Sequence, residues 1–137
     1  MTDMYRELII EHSKYPHNAG TLEQPTVTRE ESNPLCGDRI KIDFAIESGI
    51  ITDIRFTGRG CAISQAATSL LTDEIKGKTL DEVRALTKDD VLDLIGIPLG
   101  NNPVRLKCAL LPLKAVKAGV YAYLGQQIED EDEDELV

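Results

Sequence analysis

The chain has 137 residues, 42% of them hydrophobic, and a formal net charge of -9, a size and composition that suit one compact domain with a single core. Glu129–Glu135 is an unbroken acidic run that supplies -7 of that charge and leaves the remainder at -2, so nucleic acid is excluded as an expected partner. No apolar stretch reaches membrane-spanning length and the first residues lack a basic leader, so a soluble, cytoplasmic protein with no membrane partner and no export signal is expected.

From Thr2 the spacing of Met4, Tyr5, Leu8, Ile9 and His12 predicts one face of an amphipathic helix, ended by Tyr15-Pro16 and Asn18-Ala19-Gly20. A strand around Val27 is a weak signal between Pro25 and Asn33-Pro34. Over 39–47, Ile40, Ile42, Phe44 and Ile46 alternate with polar or small residues and predict a half-buried strand. Ser48-Gly49 supplies a turn, and the next run is expected to point Ile50, Thr52, Ile54 and Phe56 to one face, which makes an antiparallel hairpin.

Beyond Gly58-Arg59-Gly60, Ser64 is expected to cap a helix with Ala66, Ala67, Leu70, Leu71 and Ile75 inward, stopped by Lys76-Gly77. Thr79 to Glu82 and Thr87 to Asp90 open two short helices, the first with Leu80, Val83 and Leu86 inward. Residues 97–103 form a loop, and 104–124 a last helix in which Pro112 demands a kink or a later start, leaving Cys108 near a helix N-terminus. Residues 1–128 are the domain, and 129–137 a disordered, solubilising acidic tail.

Three cysteines, Cys36, Cys61 and Cys108, stand beside glycines or expected helix starts, and an odd thiol count without an export signal fits a reducing compartment. Three thiolates and one carboxylate complete the four-coordinate shell zinc prefers, or hold an iron-sulfur unit with one exchangeable position; Asp38, two residues beyond Cys36, is the natural fourth ligand. Such a set around a dication sums to -2 and calls for nearby cations, and Arg39, Arg59, Arg105 and Lys107 are close in sequence. His12 is read as a helix-face residue rather than a ligand, and His17 as part of the following turn.

Asn33-Pro34-Leu35-Cys36-Gly37-Asp38, then residues 54–64 with Gly58-Arg59-Gly60-Cys61, then Val104-Arg105-Leu106-Lys107-Cys108-Ala109, resemble the U-type iron-sulfur cluster assembly scaffolds, the family of IscU, SufU and the amino-terminal domain of NifU. The similarity covers roughly residues 4 to 124. It implies an α+β fold, a small antiparallel sheet of three strands covered by helices on one face, with Val27 in the first strand. It implies Cys36, Asp38, Cys61 and Cys108 as ligands, with the cysteines as sulfur acceptors; the supporting role of Arg59, Arg105 and Lys107 rests on their charge and their closeness in sequence. A cysteine desulfurase would supply persulfide sulfur, and a transient [2Fe-2S] or [4Fe-4S] cluster would pass to apo-proteins. Whether the chain is an enzyme is left open by the resemblance.

Lys107 replaces the histidine of IscU-like members and is typical of SufU-like ones, where a zinc-dependent sulfurtransferase mechanism is implied. Asn101-Asn102-Pro103-Val104-Arg105 departs from the Leu-Pro-Pro-Val-Lys segment that a dedicated chaperone recognises, which argues against chaperone-assisted release. The 47 positions from Cys61 to Cys108 lack the insertion of many SufU-like proteins. A structural zinc module that handles no sulfur is the alternative of another class, opposed by ligands lying far apart in sequence.

Overall fold

The computed structural model describes residues 2–33, 37–96 and 103–132. Helix α1 (Thr2–Lys14) precedes a meander of β1 (Val27–Asn33), β2 (Asp38–Glu47) and β3 (Ile50–Arg59). Four helices follow: α2 (Ala62–Ile75), α3 (Leu80–Arg84), α4 (Lys88–Ile95) and α5 (Pro103–Asp132). The strands form one antiparallel sheet in the order β1-β2-β3, and helices cover one face, as the α+β expectation requires. Among the described residues no helix is long and apolar enough to cross a membrane.

The alternation in β2 is realised, with Ile40, Ile42, Phe44 and Ile46 buried under the helices. Ser48 and Gly49 both adopt positive φ (54° and 75°), the two-residue turn whose twist matches the strands it joins. In β3 the inward set differs from the expected one. Ile51 is buried while Ile50 and Thr52 face outward, because the register shifts at Ala45/Ile46 and Thr52 becomes an extra residue. A bulge of this kind changes which side chains point inward, so Ile54 and Phe56 keep the expected face and Ile50 loses it.

Thr79 and Thr87 open α3 and α4 with complete capping boxes: each hydroxyl accepts from the backbone N–H three residues on, and Glu82 and Asp90 accept in return from the N–H groups of Thr79 and Thr87. Ala66, Ala67, Leu71 and Ile75 of α2 and Ala115, Val116 and Val120 of α5 are buried against the sheet, whereas Leu70 is half-buried. Helix α5 begins at Pro103 and runs through Pro112, which overturns the later start considered for it. Proline suits the first helical position, where its missing N–H would have had no partner.

On the outer face, residues 18–26 cross the sheet. Asn18 and Gly20 pair with Phe56 on the free edge of β3, and Thr26 donates to Phe44. Leu22 N–H and the Thr28 hydroxyl donate to the two oxygens of Asp43, which explains how an outward carboxylate comes to be buried.

Candidate metal centre

Three elements converge at the end of the sheet opposite the Ser48-Gly49 turn. Asp38 is the first residue of β2, Cys61 is the N-cap of α2, and Cys108 is the sixth residue of α5. One ligand atom from each lies within 4.8 Å of the others. The hairpin accounts for the first pair: β2 and β3 are in register at Arg39↔Arg59, so the chain entering β2 and the chain leaving β3 are neighbours. Cys36 lies outside the described residues, as do Pro34 and Leu35 of its motif; the flanking Gly37 donates its N–H to Asn33 carbonyl at 2.9 Å.

Asp38 is 2% exposed, and its Oδ1 accepts from the Cys61 backbone N–H at 3.1 Å while Oδ2 lies 3.8 Å from the Cys61 sulfur. One oxygen therefore satisfies the start of α2 and the other faces a thiol. Cys61 is exposed, whereas Cys108 is 3% exposed and packs below it. A buried carboxylate among thiols carries a desolvation cost that a bound cation offsets, so this donor set fits a zinc ion or an iron-sulfur unit. Zinc–sulfur bonds of about 2.3 Å place tetrahedral ligands somewhat under 4 Å apart, and modest side-chain rotation closes the observed spacing.

The glycines of Gly58-Arg59-Gly60 are there for space, a reason invisible in the sequence. Gly58 has φ +152°, and a Cβ on it would lie 2.1 Å from the Arg39 carbonyl oxygen. A Cβ at Gly60 would meet the Ser64 hydroxyl at 2.3 Å and Asp38 Oδ1 at 2.7 Å. Gly60 thus lets the backbone before Cys61 close on the carboxylate.

Ser64, expected as the cap of α2, is instead buried inside its first turn, where its hydroxyl donates to the Cys61 carbonyl at 3.2 Å. The cap position belongs to Cys61, which makes no side-chain capping bond and keeps its sulfur available. Cys108 is in the second turn of α5, beyond the stretch where a helix dipole acts strongly, so burial beside Asp38 distinguishes it rather than a helix start. Arg59 ends β3 opposite Arg39, Arg105 is in the first turn of α5, and Lys107 precedes Cys108; all three are exposed.

The histidines lie elsewhere. His12 is buried and hydrogen-bonded through Nδ1 to the Ser69 hydroxyl at 2.6 Å, and His17 pairs with Asp73. Neither belongs to the Asp38, Cys61 and Cys108 group, in agreement with the reading of His12 as a helix-face residue.

The profile of the family described as "NifU-like N terminal domain" matches residues 4–130. The zinc-dependent sulfurtransferase SufU of Bacillus subtilis is 36% identical, over 85% of this chain and 89% of that protein. The iron-sulfur cluster assembly scaffold protein IscU of Escherichia coli K12 is 33% identical, over 87% and 93%. Among solved structures, a putative iron-sulfur cluster assembly scaffold protein for the SUF system from Fervidobacterium islandicum superposes with a TM-score of 0.73 at 28% identity, covering 88% of this chain and 99% of that one. A NifU-like N-terminal protein from Brucella abortus shares the fold, with a TM-score of 0.79 at 22% identity and coverage of 90% and 96%.

Proposed function

The chain belongs to the NifU-like N-terminal domain family, the U-type iron-sulfur scaffolds, and from that premise we propose that it accepts persulfide sulfur from a cysteine desulfurase, binds iron, and builds and hands on an iron-sulfur cluster. Its membership and its Asp/Cys centre support a general scaffold role for iron-sulfur or zinc chemistry. The observation that carries the finer reading is the convergence of Asp38, Cys61 and Cys108 within 4.8 Å from three separate elements. Cys36, two residues before Asp38, is the proposed fourth ligand.

The cluster is cargo, so its ligands must let go. A carboxylate is harder than a thiolate and binds iron of a soft cluster less firmly, which makes Asp38 the exchangeable position. Its hydrogen bond from Cys61 N–H returns the carboxylate to one place after each release. Exposed Cys61 is within reach of visiting proteins, and buried Cys108 anchors the floor.

A zinc-dependent sulfur-acceptor reading is favoured by Lys107 and by the SufU relative at 36% identity. In it Asp38, Cys61, Cys108 and Cys36 hold zinc, which would keep the thiols deprotonated and ordered. Apo iron-sulfur proteins are the recipients in the scaffold reading, and the desulfurase is the donor in both.

Incubation with a cysteine desulfurase and cysteine labelled at sulfur is the test. Wild type should carry desulfurase-dependent label on its thiols, and Cys108→Ser should lose both metal retention and label; normal labelling of that variant removes Cys108 from the site. Unlabelled wild type would leave only a structural zinc module. Elemental analysis with a visible spectrum of anaerobically purified protein separates the readings, zinc without colour favouring the sulfur acceptor.

A further inference from the structure

Between β1 and α5 lies an open cleft of about 360 Å³, lined by Ser32, Asn33, Lys107, Leu110, Leu111 and Lys114. That volume is at the lower end of the range for small-molecule sites, roughly 300–1,000 Å³. Lys107 and Lys114 are seven residues apart on one helix face, so their attachment points are separated by about 10 Å along the axis. Leu110 and Leu111 form an apolar floor between them, and Ser32 and Asn33 supply polar groups from the strand.

The charge on the α5 wall of this cleft departs from that of the chain, while the β1 wall carries Glu30 and Glu31 beside Arg29. From Pro103 to Leu124, α5 carries Arg105, Lys107, Lys114 and Lys117 and no acidic residue, in a protein of net charge -9. Lys114 approaches Glu31 only at 3.8 Å, with its side chain 66% exposed. A pair that long and that wet holds its ammonium weakly, so a ligand carboxylate competes with ease. Two cations over an apolar floor recognise anions at both ends of an aliphatic body.

We propose that the cleft binds a small organic dicarboxylate of dipeptide to tripeptide size, one carboxylate at Lys107 and one at Lys114, with its middle on Leu110 and Leu111. Ser32 and Asn33 hydrogen-bond its amide groups. The site borders the metal centre, because Lys107 adjoins Cys108 and Asn33 is the cross-strand partner of Asp38. This goes beyond the scaffold reading and does not depend on sulfur transfer.

The probe is γ-glutamyl-α-aminobutyryl-glycine, a tripeptide with two carboxylates and no thiol, so that it does not compete for metal. Titrated into the full chain, it should shift the amide resonances of residues 32–33 and 107–114 saturably, with half-saturation on the order of 0.1–1 mM. Lys114→Glu, which turns attraction into repulsion, should weaken binding about 10-fold, and amidating the ligand's glycine carboxylate, which only removes an exposed pair, should weaken it about 3- to 5-fold. Lys114→Glu should keep wild-type metal content and desulfurase-dependent labelling, so loss of binding is read separately from loss of the centre. Absence of saturable shifts up to about 10 mM, or equal binding by Lys114→Glu, overturns the proposal. An acidic peptide of about ten residues that binds more than about 10-fold tighter than the tripeptide would overturn it in favour of a partner's acidic segment.

Discussion

Asp38 serves two masters with one carboxylate, since Oδ1 is spent on the Cys61 N–H and Oδ2 faces the Cys61 sulfur. Removing it should therefore act in opposite directions on two quantities. Without metal, Asp38→Ala should lower the stability of the protein by about 1–2 kcal/mol, the usual loss for a helix-start acceptor, read from denaturant midpoints. With a reconstituted cluster, the same variant should lengthen the decay of the visible absorption and slow transfer to an apo-ferredoxin, because the hardest ligand is gone. An unchanged or shorter lifetime would remove Asp38 from the role of exchangeable ligand. At this scale the sequence was legible where chemistry is rare: three cysteines and a neighbouring aspartate stand out as ligand candidates, and of these Asp38, Cys61 and Cys108 converge. The roles of Gly58 and Gly60 were hidden because the atoms that exclude a Cβ belong to Arg39, Asp38 and Ser64, which only folding brings near.

Helix α1 docks on α2 through a polar seam. His12 Nδ1 meets the Ser69 hydroxyl, His17 N–H donates to that same hydroxyl at 2.8 Å, and the two imidazole rings are 4.5 Å apart. With its oxygen accepting from His17, the Ser69 hydroxyl is free to donate to a neutral His12. Burial, then repulsion from His17, holds the His12 pKa below its ordinary 6.5, against the opposing pull of Asp73 and Glu11. A folded-state pKa below the unfolded one means that His12 contributes stability above about 6.5 and that this is lost as pH falls toward the depressed value. Thermal midpoints should accordingly drop between about pH 7.5 and about pH 5.5, and His12→Gln should drop less; equal slopes in the two proteins would show that His12 does not titrate in this window. Elements as such were legible where the pattern is local: both threonine capping boxes and the turn at Ser48-Gly49 could be read residue by residue. The bulge that turns Ile51 inward could not, because apolar residues at 50 and 51 are both compatible with a strand and cross-strand register decides between them. Pro112 left the start of α5 open for a related reason, since the burial of Ala109, Leu111, Leu113, Ala115 and Val116 around it outweighs one lost backbone bond.

The hydrogen bond from Cys61 N–H ties α2 to Asp38 at the centre, whereas Cys108 is brought there by α5, so the geometry depends on how α5 lies on the sheet. Gly119 sets that distance. A Cβ there would lie 2.4 Å from Phe44 Cε1 and 2.7 Å from Cζ, and Phe44 is fully buried at the middle of β2. Gly119→Ala must push the helix or the ring aside, an overpacking cost of about 1–3 kcal/mol. A gain in helix propensity of about 1 kcal/mol offsets part of it, so a net loss of up to about 2 kcal/mol is expected. Gly119 and Cys108 are eleven residues apart, about 16 Å along the axis, and a helix displaced as a rod carries Cys108 away from Asp38. Zinc affinity, measured by competition with a chromophoric chelator, should then fall together with the denaturation midpoint of the metal-free protein. It follows by linkage that saturating zinc should stabilise wild type more than Gly119→Ala, since a ligand that binds only the folded centre adds stability according to its affinity for it. If instead the variant unfolds earlier but binds zinc as wild type does, the first turns of α5 hold Cys108 in place independently of the core.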